Sequence, residues 1–190
     1  MNLAPTKDLA RLSEAMELAA DARGLPVERL RRDLVLCLAK EPMAFLGLDG
    51  PSTSDPARRL AANEDWLQRV LESKGYRYVP ILADQADETT WFPVVNNQVF
   101  TPEQSLVPPR YLEQMEHVAV TAISHMPGLK YACVELGLVG EDRTEVVVVS
   151  VDVSFSVWAR QSDPDAVAKV AKAVLEFELS QVQSLTSASR

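Results

Sequence analysis

A chain of 190 residues with 47% hydrophobic and 24% charged side chains has the balance of an ordinary globular protein, which excludes disorder as its main state. A formal net charge of -8 sets it against nucleic acid, because any such partner would have to find a local basic patch inside a repelling field. No apolar run approaches the roughly 20 residues that cross a bilayer, the first residues lack a secretory signal pattern, and two cysteines make no disulfide framework. The expectation is a cytoplasmic chain without a membrane span, in which Cys37 and Cys133 are buried free thiols.

In chain order, Leu9, Leu12, Ala15, Met16 and Ala19 repeat at helical spacing between Thr6 and Arg23, and Gly24 with Leu25-Pro26 stops the helix. A second helix is expected from Val27 to about Lys40, with Leu30, Leu34 and Leu38 on its apolar side and Arg29, Arg31 and Arg32 on a solvated one. Met43, Phe45, Leu46 and Leu48 form an apolar tail before the loop DGPSTSDP, and a domain boundary is placed near residues 49 to 54.

Asp55-Pro56 reads as an N-cap with proline at the first helical position, opening a helix that runs to Gly75. Tyr76 to Leu82 is aromatic and β-branched and is expected as a strand, placed at an edge or bulge by Pro80. WFPVV and QVF flank Asn96-Asn97, a dipeptide that tolerates the positive φ of a tight hairpin. Thr101 to Gln104 has the form of a capping box, giving a brief helical turn.

A further helix is expected from Pro109 to His125, ended by Pro127-Gly128. Tyr131 to Val139 and Glu145 to Trp158 then read as two long strands joined by a polar hairpin. In the second, Val149, Val151, Val153, Phe155 and Val157 alternate with Ser150, Asp152, Ser154 and Ser156, so one face is apolar and the other small and polar. Asp163-Pro164 repeats the cap-plus-proline device before a last helix, and the tail SLTSASR is expected to fray.

Residue types that carry chemistry are sparse. Glu113 and His117 sit four apart on one helix, a spacing that serves two metal ligands, but no third ligand lies nearby and the pair reads as helix surface. His125 suits the end of its helix as a favourable cation. Neither G-x-S-x-G nor a glycine-rich phosphate loop occurs, and with 7 glycines the chain has little material for one. No catalytic residue, metal ligand or cofactor is assigned. The candidate binding surface is the polar strand face Ser150, Asp152, Ser154 and Ser156 with the aromatics Trp91, Phe92 and Trp158 at strand ends. The bland alternative makes that face the wet side of a two-layer sheet and the aromatics lids on the core.

From Asp55 onward the order helix, three short strands, helix, two strands, helix on an acidic chain resembles the class I type III secretion chaperones. That resemblance implies a small dimeric protein that holds partner segments in extended form and has no enzymatic activity. Residues 1–50 have no counterpart in it, and it carries over no functional residue. Pro127 to Asp152 is also similar to the late hairpin of ATP-grasp enzymes, but the paired carboxylate and asparagine metal ligands due at its end are absent, which sets that family aside.

The expected fold is α+β: an N-terminal helical region over residues 1–50, then a mostly antiparallel sheet packed against helices over residues 55–185. The expected function is a non-catalytic protein-binding module, an adaptor or chaperone acting on a protein partner as a homodimer. Two other classes stand beside it: a ligand-binding protein or enzyme using the Ser150 to Ser156 face, and a structural or accessory protein of a phage or mobile element.

Overall fold

The structure is a computed structural model that describes residues 7–80, 89–101, 107–140, 142 and 144–188. In chain order its elements are α1 (Lys7–Asp21), β1 (Val27–Arg31), β2 (Leu34–Cys37), β3 (Met43–Leu46), α2 (Asp55–Ala61), α3 (Glu64–Glu72), β4 (Thr90–Val95), β5 (Gln98–Val99), α4 (Pro109–Ser124), β6 (Tyr131–Val139), β7 (Glu145–Asp152), α5 (Ser156–Gln161) and α6 (Pro164–Ala188). This is an α+β fold with two antiparallel sheets, of strand order β1-β2-β3 and β5-β4-β6-β7. Two compact units result, one of residues 1–52 with 154–190 and one of residues 53–153. The C-terminal segment belongs to the first unit, where α6 lays its apolar stripe on α1.

In the first unit α1 buries Leu12, Met16 and Ala20 and packs against β1, β2, β3, α5 and α6. The helix expected over Val27 to Lys40 is a hairpin: β1 and β2 pair antiparallel across a turn at Arg32-Asp33, and the apolar tail after Pro42 supplies β3. The four-residue spacing of Leu30, Leu34 and Leu38 imitates a helix stripe. The run Leu34 to Cys37 is nevertheless apolar on all sides, and a β-branched residue in such a run lets a two-faced strand win once partners pair with its backbone. Val35, Cys37, Met43 and Phe45 turn inward and are buried at 0 to 2% exposure.

Polar contacts between distant segments fasten this unit. Glu178 of α6 is buried, and its carboxylate accepts the Ser52 backbone N–H at 2.9 Å and the Ser52 hydroxyl at 2.5 Å. Gly50 is required beside it, since a Cβ there would lie 2.7 Å from the Phe45 ring and 2.9 Å from the Glu178 carboxylate. Arg11 of α1 donates to the carbonyls of Ala159 at 2.5 Å and Ser162 at 2.8 Å, serving acceptors that the end of α5 leaves without intrahelical partners. Asp163 caps α6 as the sequence suggests, its Oδ1 accepting the Ala166 N–H at 2.8 Å. The helix continues to Ala188, so most of the tail expected to fray is helical.

In the second unit, the helix expected from Asp55 to Gly75 is split in two. Ser54 caps α2, one residue earlier than the Asp55-Pro56 pattern suggests, and Asn63 caps α3 by accepting the Trp66 N–H at 3.0 Å. Asn63 prefers to close a turn with its own side chain over continuing a helix, which is why the break falls there. The strand expected over Tyr76 to Leu82 reduces to a single parallel bridge between Tyr78 and Val148, and residues 81–82 lie outside the described residues. Asn96 and Asn97 take φ of 48° and 66° in the turn between β4 and β5, as a hairpin of this kind needs. The capping-box turn falls on residues 102–104, outside the described residues, although the Thr101 hydroxyl donates to the Glu116 carboxylate.

The strand expected to run to Trp158 ends at Asp152. Phe155 adopts φ 59°, a left-handed conformation that no strand contains, and α5 starts at Ser156. A bulge at Glu135/Leu136 further breaks the alternation, and Val146, Val147, Val148 and Val149 are all buried because both faces are covered. One sheet face, with Phe92, Val134, Leu136 and Val148, packs on Met115 and Ala119 of α4. The opposite face is not the wet side that the alternation implies: Trp91, Val95, Tyr131, Cys133 and Val147 on it are buried as well.

Buried polar groups give opposite stability effects in this fold. Glu178→Ala removes the acceptor of both Ser52 donors and is expected to cost about 2–3 kcal/mol. Ser13 is fully buried and its hydroxyl has no partner among the described residues, so Ser13→Ala is expected to stabilise by up to about 1 kcal/mol. Chemical denaturation of the two variants checks both signs.

Candidate functional site

The aromatic members of the surface expected from the sequence belong to the interior. Trp91 is 8% exposed, Phe92 0% and Trp158 4%; Phe92 sits under α4, and Trp158 stands edge-on to Phe155 with ring centroids 6.3 Å apart. These rings supply packing area and not partner anchors. The polar members separate. Ser150 and Asp152 are half-buried on β7, whereas Ser154 and Ser156 lie beyond the strand, where the Ser154 hydroxyl donates to the Ser156 hydroxyl at 2.8 Å and accepts the Ser156 N–H at 3.3 Å. That is a local turn that prepares the start of α5.

What the register does gather is a polar end of the larger sheet. Glu135 pairs with Ser150 and with Trp91 across the strands, Asp152 pairs with Cys133, and the Thr89 hydroxyl donates to the Glu135 carboxylate at 2.7 Å. Glu135, Ser150 and Asp152 therefore share one face. Among the described residues no group of three or more His, Cys, Asp and Glu side chains could hold a metal ion.

The remaining reactive residue types take structural places. His117 and Glu113 are exposed on α4. His125 is the C-cap of that helix, and its Nδ1 donates to the Thr121 carbonyl at 2.8 Å, occupying one of the end carbonyls. Cys37 is buried on β2, where desolvation, helped by the Glu17 carboxylate, pushes its thiol from 9.0 up to about 11. Cys133 on β6 is pushed well above its ordinary value, first by burial and second by Asp152. A nucleophilic cysteine needs the opposite shift. Of the arginines expected on a solvated helix face, Arg29 and Arg31 are on β1 and Arg32 is in the turn after it, and two are paired: Arg29 bidentate to Glu17, with Nε at 2.6 Å, and Arg31 to Asp33 at 3.4 Å.

The feature that sequence reasoning missed is the outer face of the β1-β2-β3 sheet. Cross-strand pairing makes two rows on it, Glu28–Leu36–Ala44 and Arg31–Leu34–Leu46. Leu46 is 38% exposed, and Leu30 at 47% and Leu38 at 41% flank the rows. The opposite face of the same strands is packed on α1. The signal was present in the alternation of Leu34, Leu36 and Leu38 with Val35 and Cys37, which reads as a strand as readily as a helix.

No protein-family model and no curated protein matches the chain. Among solved structures it is similar to the macrocyclase MdnB from Microcystis aeruginosa MRC, at 12% identity over 86% of this chain and 94% of that chain, with a TM-score of 0.47.

Both thiols are expected to resist a thiol-specific reagent at pH 8 in the native protein and to react fully once it is denatured. Their native pKa values lie above the unfolded value of about 8.5. The stability they contribute is therefore intact below that pH and is lost as pH rises above it, for Cys37 up to about 11. Thiol titration and denaturant midpoints between pH 7 and 10 check the two statements.

Proposed function

We propose that this chain is a non-catalytic protein-binding module of the cytoplasm, an adaptor or chaperone-like protein that works as a homodimer. The observation that carries the reading is the outer sheet face with Leu34, Leu36, Ala44 and Leu46. Apolar side chains presented together on a rigid sheet gain about 25 cal/mol for each Å² a partner covers, and contiguous patches of this kind mark interaction surfaces. The places of Cys37, Cys133 and His125 in packing and capping support a role without chemistry. Two unpaired thiols suit a reducing compartment, and among the described residues no helix is long and apolar enough to cross a membrane. The chaperone-like form of the reading rests on the order of elements from Asp55 onward, helices, strands, a helix, two strands and helices.

A second reading, ligand binding or catalysis at the larger sheet, is favoured by one observation: Glu135, Ser150 and Asp152 on a common face, with Thr89 bonded to Glu135. Thermal shift with metals and nucleotides separates the two, since a ligand present at 100 times its Kd stabilises the folded state by about 2.7 kcal/mol.

For the leading reading, the tagged protein is used to capture a partner from its native host, and the identified partner is rebound in purified form. Binding is expected to fall at least about tenfold for a Leu30→Glu/Leu46→Glu variant that keeps its circular dichroism spectrum. A strict monomer that retains no protein would overturn it.

A further inference from the structure

We infer that the outer face of the β1-β2-β3 sheet takes a second copy of this chain, in a two-fold register that sets Glu28 of each copy against Arg31 of the other. The inference rests on the protein-binding reading only in using the same face as a contact surface. Its ground is the pattern of the two rows. Each has one charge on β1 and two apolar residues on β2 and β3, and the charges are opposite: acid in the row of Leu36 and Ala44, base in the row of Leu34 and Leu46.

A two-fold axis between two such faces, perpendicular to the strands, lays β1 on β1 and reverses strand direction. Each row then meets the other row of the second copy. Glu28 faces Arg31, Leu36 faces Leu34, and small Ala44 faces Leu46, and every contact is made twice, as in any isologous interface. The alternative two-fold axis, parallel to the strands, would lay β1 over β3 and set Glu28 against Ala44 and Arg31 against Leu46, leaving both charges facing apolar side chains. Large against small across the seam also lets two sheets approach to the usual ~10 Å separation.

Both charges are available for this. Glu28 has no ion-pair partner among the described residues, and Arg31, whose Nε lies 3.4 Å from Asp33, keeps its side chain 63% exposed. Three strands of 5, 4 and 4 residues make the face, so the association is expected to be concentration-dependent.

The experiment is a charge swap read by light scattering and sedimentation over a concentration series, with circular dichroism to verify folding. Wild type should show a monomer–dimer equilibrium. Glu28→Arg alone places two bases together at each contact and Arg31→Glu alone two acids, so each should weaken self-association about tenfold or more. Mixing the two variants restores opposite charges at both contacts, so the mixture should regain wild-type affinity, and native mass spectrometry should find the heterodimer in excess of either homodimer.

Single variants that dimerise like wild type, or a mixture with only the statistical share of heterodimer, would overturn the register. A monomeric wild type whose captured partner is lost on Leu30→Glu/Leu46→Glu would overturn self-docking, and the homodimer with it, and leave only the binding of a partner protein standing. A monomer that retains no partner would remove both.

Discussion

A sheet whose strands carry apolar side chains on both faces must cover both, and the two sheets of this protein meet that demand differently. In the larger sheet β4, β6 and most of β7 are buried on both sides, so its faces are consumed by the fold. In the smaller sheet α1 covers one face, and the other presents leucines to water. Exposed aliphatic area is tolerable on a stable sheet but is more favourable beneath a partner, and this imbalance between the two layers governs the functional reading.

The inward side of the small sheet explains why the outward side can stay presented without collapsing. Phe45 and Met43 insert beneath α1, Gly50 lets the following loop run tight against the Phe45 ring, and the buried carboxylate of Glu178 holds that loop through Ser52. Arg29 clamps β1 to Glu17 of α1 with a two-pronged contact. These restraints are local in space and distant in sequence, Ser52 to Glu178 above all. They fix a four-residue strand that by its own length would be only marginally stable.

The polar end of the larger sheet has another origin. Both faces of this sheet are covered, so four consecutive valines on β7 are buried, and beyond the bulge at Glu135/Leu136 Ser150 and Asp152 share a face with Glu135. The left-handed Phe155 then turns the chain out of the strand and into α5. A regular alternation in sequence thus becomes a short two-sided strand, a polar patch and a helix.

Features with a local physical cause were legible in the sequence: the Asn96-Asn97 turn, whose residues tolerate positive φ; the cap at Asp163; the amphipathic repeat of α1; and β6 with its bounding turns. The α+β class followed from these. Tertiary structure alone decided between helix and strand for residues 27–37, because apolar spacing there satisfies both periods and only pairing with β3 and packing under α1 select one. It alone also buried Trp91, Phe92 and Trp158 and exposed Leu30, Leu38 and Leu46. Which side of a strand faces water depends on what covers it, and the covering elements come from distant parts of the chain.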